Sequence, residues 1–166
     1  MRIRNELPSD TTAIEVVTVA AFKNTAHTDH TEQFIIRELR NYGALSVSLV
    51  AEDGGAVIGH VAVSPVTISS GAAGWYGLGP ISVTPERQGS GIGTQLMWAV
   101  LNELRSSGAS GCVVLGEPGY YSRFGFVADP GLVLSGVPPE YFQAISFSGS
   151  LPAGTVSYHD AFTAKA

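Results

Sequence analysis

A chain of 166 residues with 45% apolar side chains is long enough to bury a core, and residues 1–166 are read as a single domain. Nine Lys and Arg against fourteen Asp and Glu leave a net charge of −5 with no basic run, which excludes a nucleic-acid or anionic-membrane partner on electrostatic grounds. The single cysteine, Cys112 in GCVVLG, excludes an internal disulfide and suits a small core residue in a reducing, cytoplasmic compartment.

The opening MRIRNELPSD has no apolar leader core, and Gly, Pro and Ser interrupt the stretch 54–85 that lacks charged residues, so no signal peptide or membrane span is expected. Charged residues are 14% of the chain against about 25% in an ordinary domain, and a homodimer that covers part of the surface is expected.

In chain order, residues 2–5 suit a short strand, and Ser9 or Asp10 caps a helix carrying Ile14, Val17 and Ala21 at helical spacing. The polar segment KNTAHTDH follows. His27, Asp29 and His30 place three metal-competent side chains in one loop with no fourth nearby, so it is read as solvated loop and no metal is expected. Asp29 with Glu32 resembles a capping box for a second helix, on which Ile35, Leu39 and Tyr42 share a face before Gly43 stops it. Alternation from Leu45 to Glu52, the DGG turn at 53–55 and alternation through AVIGHVAVSPVTI make a hairpin. His60, between Ile58 and Ala62, reads first as a hydrogen-bonded core residue, although its ordinary pKa suits a base.

After the SSGAAG turn, Trp75 to Val83 form a third long strand interrupted by Gly77 and Gly79, a mark of a bulge or of close approach by other groups. Ile92, Leu96, Val100 and Leu104, with Met97 and Leu101 beside them, build an amphipathic helix that ends near Gly108. GCVVL at 111–115 is a buried strand. Strand, helix, strand over 75–115 is a βαβ unit with parallel strands.

The turn that opens its helix, PERQGSGIGTQLM at 85–97, holds Gly89, Gly91 and Gly93. The first amides of a helix lack intrahelical partners, and the helix dipole adds roughly half a positive charge there, so bare backbone at this point suits a phosphate. A P-loop is excluded because the chain's lysines are Lys23 and Lys165, far from the turn. A dinucleotide fingerprint fits badly: Thr94 stands where its third glycine belongs, and TPERQ separates strand from glycine.

Gln88-x-x-Gly91-x-Gly93 after a strand ending GPISV resembles the Q/R-x-x-G-x-G/A motif of the GNAT superfamily of N-acetyltransferases. GEPGYYSRFGF at 116–126 resembles its second motif, with Tyr121 four residues before a Gly-Phe pair. The hairpin and the tail YFQAISF…GTVSYHDAF look like one branch of small, mostly uncharacterised bacterial members, so the resemblance extends over the chain.

The resemblance implies an α/β (α+β) fold: a twisted mixed sheet of six or seven strands, helices on both faces, and a splay between the parallel strands ending at Val83 and Leu115. It implies acetyl-CoA in that splay and no metal. The pyrophosphate would lie on the backbone of Gln88, Gly89, Ser90, Gly91, Gly93 and Thr94, and the pantetheine arm would pair with Ile81, Ser82 and Val83 as an added strand. Tyr121 would protonate the leaving thiolate, and an amide near Val83 would hold the oxyanion. Tyr120 and Phe124 read as core packing. Strand 75–83 has no glutamate to serve as base, which leaves Glu117, His60 or water. The function implied is acetyl transfer to a primary amine, on a small molecule or a peptide, in a pocket lined by 23–31 and the tail beyond Pro130. A non-catalytic acyl-CoA-binding module is the alternative, and a nucleotide-binding fold a remoter one.

Overall fold

In the computed structural model, which describes residues 1–26 and 28–166, Arg2–Asn5 forms an edge strand (β1) and Thr11–Phe22 the first helix (α1). His27, one of the loop residues weighed for a metal, lies outside the described residues. Asp10 stands at the start of α1, but its carboxylate turns away from the helix. It accepts from the Arg4 guanidinium (2.7 and 3.1 Å) and the Leu7 amide (2.6 Å). Hydrogen bonds from Arg4 and then Leu7 hold that carboxyl down at about 2, since a cation competes better for it than a neutral amide does.

The second helix (α2, Glu32–Asn41) begins behind Thr31, and its Glu32 accepts from the Thr28 hydroxyl at 2.6 Å instead of completing a box with Asp29. Gly43, at φ +68°, ends it in the left-handed conformation that suits glycine.

Val47–Asp53 (β2) and Ala56–Pro65 (β3) form the hairpin. Asp53 pairs with Ala56 across Gly54 and Gly55, both at positive φ, which is the two-residue turn that matches strand twist. The alternation past Pro65 does not prolong β3. Thr67–Ile68 (β4) leaves for a second sheet, and Pro65 marks the end because it has no amide for a further rung. Trp75–Val83 (β5), Ile92–Ser106 (α3) and Gly111–Leu115 (β6) form the βαβ unit, with β5 and β6 parallel. A short helix Pro118–Tyr121 (α4) and strands Leu132–Val133 (β7), Phe142–Ser146 (β8) and Gly154–Ser157 (β9) complete the chain.

The main sheet runs β1-β2-β3-β5-β6-β8 and the small one β4-β9-β7. Helices cover both faces of the main sheet. Leu96, Val100 and Leu104 of α3 pack on Leu49, Val61, Val63 and Cys112, while Ile14 of α1 and Ile36 of α2 pack on Val50 and Ala62 from the other side. Burial pushes the Cys112 thiol well up, so it acts as a small apolar core residue.

The parallel pairing of β5 with β6 is short, three positions from Trp75–Gly111 to Gly77–Val113. Beyond it each strand follows its other neighbour. On β5 the register against β3 shifts between Val63–Leu78 and Val61–Ile81, a bulge that places Gly79 and Pro80 outside the ladder. β6 stays paired with β8 along its length. A bulge raises local twist, so the two parallel strands part into a V.

Candidate active site

The chain leaves β5 through a single turn, Pro85–Arg87, and enters α3 at Gly91. Gly89 (φ +77°) and Gly91 (φ +86°) both have open space where a Cβ would stand. The Gln95 amide donates to the Gly91 carbonyl at 3.1 Å, the first rung of the α3 ladder. The amides of Ile92, Gly93 and Thr94 ahead of it are the orphan donors that a helix start leaves. The Gln88 side chain donates to the Val83 carbonyl at 3.0 Å and the Ser90 hydroxyl to Arg87, which ties the loop to the end of β5.

A groove of about 360 Å³ lies over this loop, with Val83, Arg87, Gln88, Thr94, Tyr120 and Arg123 on its walls. Two cations thus face the amides. Arg87 is held by Asp53 at 2.9 Å, and Arg123 lies 4.8 Å over the Tyr120 ring. Bare amides, the positive end of a 15-residue helix and two guanidiniums make a donor set suited to a diphosphate. The spacing of the glycines carried the loop, but nothing in YYSRF signalled that Arg123 turns toward it.

Above the groove, one edge of β5 from Leu78 to Val83 lies beyond the stretch paired with β6. Ile81 and Val83 are partly buried, and Ser82, 3% exposed, points into the core with its hydroxyl unpartnered. Tyr121 lies against Gly116, where a Cβ would strike its ring. It meets Tyr120 edge-on at 5.0 Å and faces Phe126 at 6.0 Å. Burial pushes its phenol up to about 12, with Tyr120 adding to the effect, so it stays protonated at neutral pH. Tyr120 takes the other direction that adjacent helical residues allow. Its hydroxyl lies 3.3 Å from where a Cβ of Gly93 would stand, so it lines the groove as well as packing on Phe124, which is buried.

The profile of the Acetyltransferase (GNAT) family matches residues 11–126, from α1 to the residue after Gly125. The chain belongs to the GNAT family of acetyltransferases. YhbS of Escherichia coli, an uncharacterised N-acetyltransferase, is 38% identical over 127 residues, 76% of this chain and 73% of that protein. Among solved structures, a GNAT family acetyltransferase from Brucella melitensis in complex with acetyl-CoA is 48% identical, with a TM-score of 0.87 over 97% of each chain. YhbS from Escherichia coli in complex with CoA is 32% identical, with a TM-score of 0.86 over 98% of this chain and 91% of that one.

The two side chains weighed as a base, Glu117 and His60, fall in different surroundings. Glu117 is exposed at the start of α4. His60 is fully buried, with Nε2 2.8 Å from the Ser48 hydroxyl. Ser48 donates its one proton to Glu6, which Arg40 holds from the other side at 2.9 and 3.0 Å. His60 therefore donates from Nε2, and its bare Nδ1 is buried without a partner. It is a core residue. Among the described residues, no group of three or more His, Cys, Asp and Glu is placed to hold a metal, and no helix is long and apolar enough to cross a membrane.

Burial pulls the His60 pKa down to about 4, against a rise from Glu6 and with a further lowering by Arg40. The unfolded imidazole protonates near 6.5, so between about pH 6.5 and 4 the unfolded state binds more protons and stability rises with pH. Neutral His60 is expected to withdraw about 3 kcal/mol as pH falls through that window. Burial raises the Glu6 pKa, but hydrogen bonds from Arg40 and Ser48 outweigh it and leave the value lowered, so its own contribution starts to be lost as pH falls through the ordinary carboxylate range and goes on falling below it. Urea melts at pH 7 and pH 5 check this: His60→Gln should flatten the difference seen in the wild type. Equal pH slopes in the two proteins would assign the window to other groups.

Proposed function

We propose that this chain, with residues 1–166 acting as one domain, transfers the acetyl group of acetyl-CoA directly to a primary amine on a small molecule or peptide. The observation that carries this reading is the free edge of β5, opposite the diverging β6 and directly above the glycine-loop groove. Acetyl-CoA supplies an acetyl group activated as a thioester. The backbone of Gln88, Gly89, Ser90, Gly91, Gly93 and Thr94 binds the pyrophosphate, and Arg87 and Arg123 add positive field. Ile81, Ser82 and Val83 offer main-chain groups for strand-like pairing with the pantetheine arm. The two neighbours 48% and 32% identical, in complex with acetyl-CoA and CoA respectively, support this assignment.

Tyr121, protonated across the working pH range, donates to the leaving sulfur, and an amide near Val83 faces the carbonyl oxygen as it gains charge. β5 carries no carboxylate and His60 is enclosed in the core, which leaves water or the exposed Glu117 to take the proton of the amine. The acceptor takes the cavity of about 420 Å³ lined by Val19, Phe22, Lys23, His30 and Gln33. Cytoplasmic residence is supported by a lone, buried thiol, and a homodimer by apolar surface such as Val16, 62% exposed on α1.

The test is thiol release from acetyl-CoA by purified protein across a broad panel of amines. At least one amine should raise the rate well above hydrolysis. Tight coenzyme A binding with no release by any amine would make the protein a binding module instead. Dephospho-coenzyme A keeps the pyrophosphate and is expected to bind within about tenfold of coenzyme A. Calorimetry that finds no binding without the 3′-phosphate would move the anchor away from the loop.

A further inference from the structure

The mouth of the V between β5 and β6 is open, but its closed end holds a residue from the far end of the chain. Tyr158, just after β9, lies with its ring edge against Gly77, where a Cβ would strike the ring. Gly77 is the last position at which β5 pairs with β6, opposite Val113. The ring packs with Val66, Trp75 and Val113 on one face of the sheet. Its phenol is pushed well up by burial and then by Cys112 and Tyr121, and these two belong to the cluster on the α3 face. Val113 and Cys112 are consecutive on β6 and point to opposite faces, so the ring lies on the Val113 side of the sheet, at the point where the strands part. Phe162, in the turn Asp160–Thr163, stacks on it at 4.9 Å and 26° and fixes its plane.

We propose that Tyr158 is the stop that limits acyl-chain length, so that a two-carbon acyl group fits in front of its ring and longer chains do not. This rests on the acyl-CoA reading given above. A thioester whose pantetheine arm runs along Ile81–Val83 toward Tyr121 directs its acyl carbons to the closed end of the V. A chain of four or six carbons meets an aromatic ring backed by β9 and Phe162, and an overfilled site of that kind is costly. The side chain acts by shape, so its hydroxyl is not required.

Calorimetry with coenzyme A, acetyl-CoA and hexanoyl-CoA on the wild type, Tyr158→Phe and Tyr158→Leu tests the proposal without an acceptor. The wild type and Tyr158→Phe should bind hexanoyl-CoA about tenfold or more weaker than acetyl-CoA. Tyr158→Leu, which keeps apolar packing while shortening the stop, should bring the two within about threefold and leave coenzyme A affinity unchanged. Equal affinities in the wild type, or undiminished discrimination in Tyr158→Leu, would overturn the stop. A parallel loss of coenzyme A and hexanoyl-CoA binding in Tyr158→Leu would make Tyr158 a packing residue. Failure of coenzyme A itself to bind the wild type would overturn the cofactor reading, and the stop with it.

Discussion

Gly91→Val is expected to weaken coenzyme A binding by about 10²-fold, because it closes the bare amides at the start of α3 to phosphate oxygens. Gly91 sits at φ +86° with open space around it, so the obstacle to a side chain there is backbone conformation rather than collision. A β-branched residue resists that conformation, and part of the loss will come from a shifted helix start and a lower melting temperature. Gly93→Ala separates the two causes. Gly93 lies inside α3, where alanine is the better helix former by about 0.5–1 kcal/mol, so stability should hold or rise. Its new methyl lies 3.3 Å from the Tyr120 hydroxyl beside the groove, and coenzyme A binding should fall all the same. Calorimetry paired with thermal melts reads both variants, and wild-type affinity in Gly91→Val would remove the loop from the site.

Tyr121→Phe is expected to lower kcat by about 10²-fold, with coenzyme A affinity within about threefold of the wild type. The substitution keeps the ring against Gly116, Tyr120 and Phe126 and removes only the donor. With its pKa pushed up to about 12, the phenol is a weak acid that stays protonated. It helps by holding a hydrogen bond on the sulfur as negative charge develops there, and water replaces it in part, which keeps the effect at the low end of acid catalysis. Steady-state thiol release against the most active amine measures it. Tyr120→Phe should lower kcat far less, since that hydroxyl lies by Gly93 at the groove. The reverse pattern, slow Tyr120→Phe and normal Tyr121→Phe, would make Tyr120 the donor.

Much of this architecture is legible in the sequence, and the legible parts share a cause. The turn at Gly54 and Gly55, the amphipathic run of α3, the strand–helix–strand order and the glycine loop all depend on residues within a few positions of one another. Backbone sterics and hydrophobic periodicity act over that range, so residue type and spacing carry them. Gln88, Gly91, Gly93 and Tyr121 were singled out instead by their resemblance to two family motifs. Local signals were outcompeted at Asp10, where the Arg4 cation drew the carboxylate away from its helix, and at Pro65, where the chain changed sheets.

The remaining features join segments far apart in the chain. Burial turns His60 from a potential base into a neutral core group linked through Ser48 to Glu6, Arg123 folds back over the loop that starts at Gln88, and Tyr158 reaches Gly77, the last β5 position paired with β6, from the far side of the sheet. None of these pairings leaves a trace in spacing or composition. Each exists because the main sheet brings β2, β3, β5 and β6 side by side and the tail closes over them. Desolvation in that assembly, rather than residue type, then sets which polar groups keep their ordinary acidity.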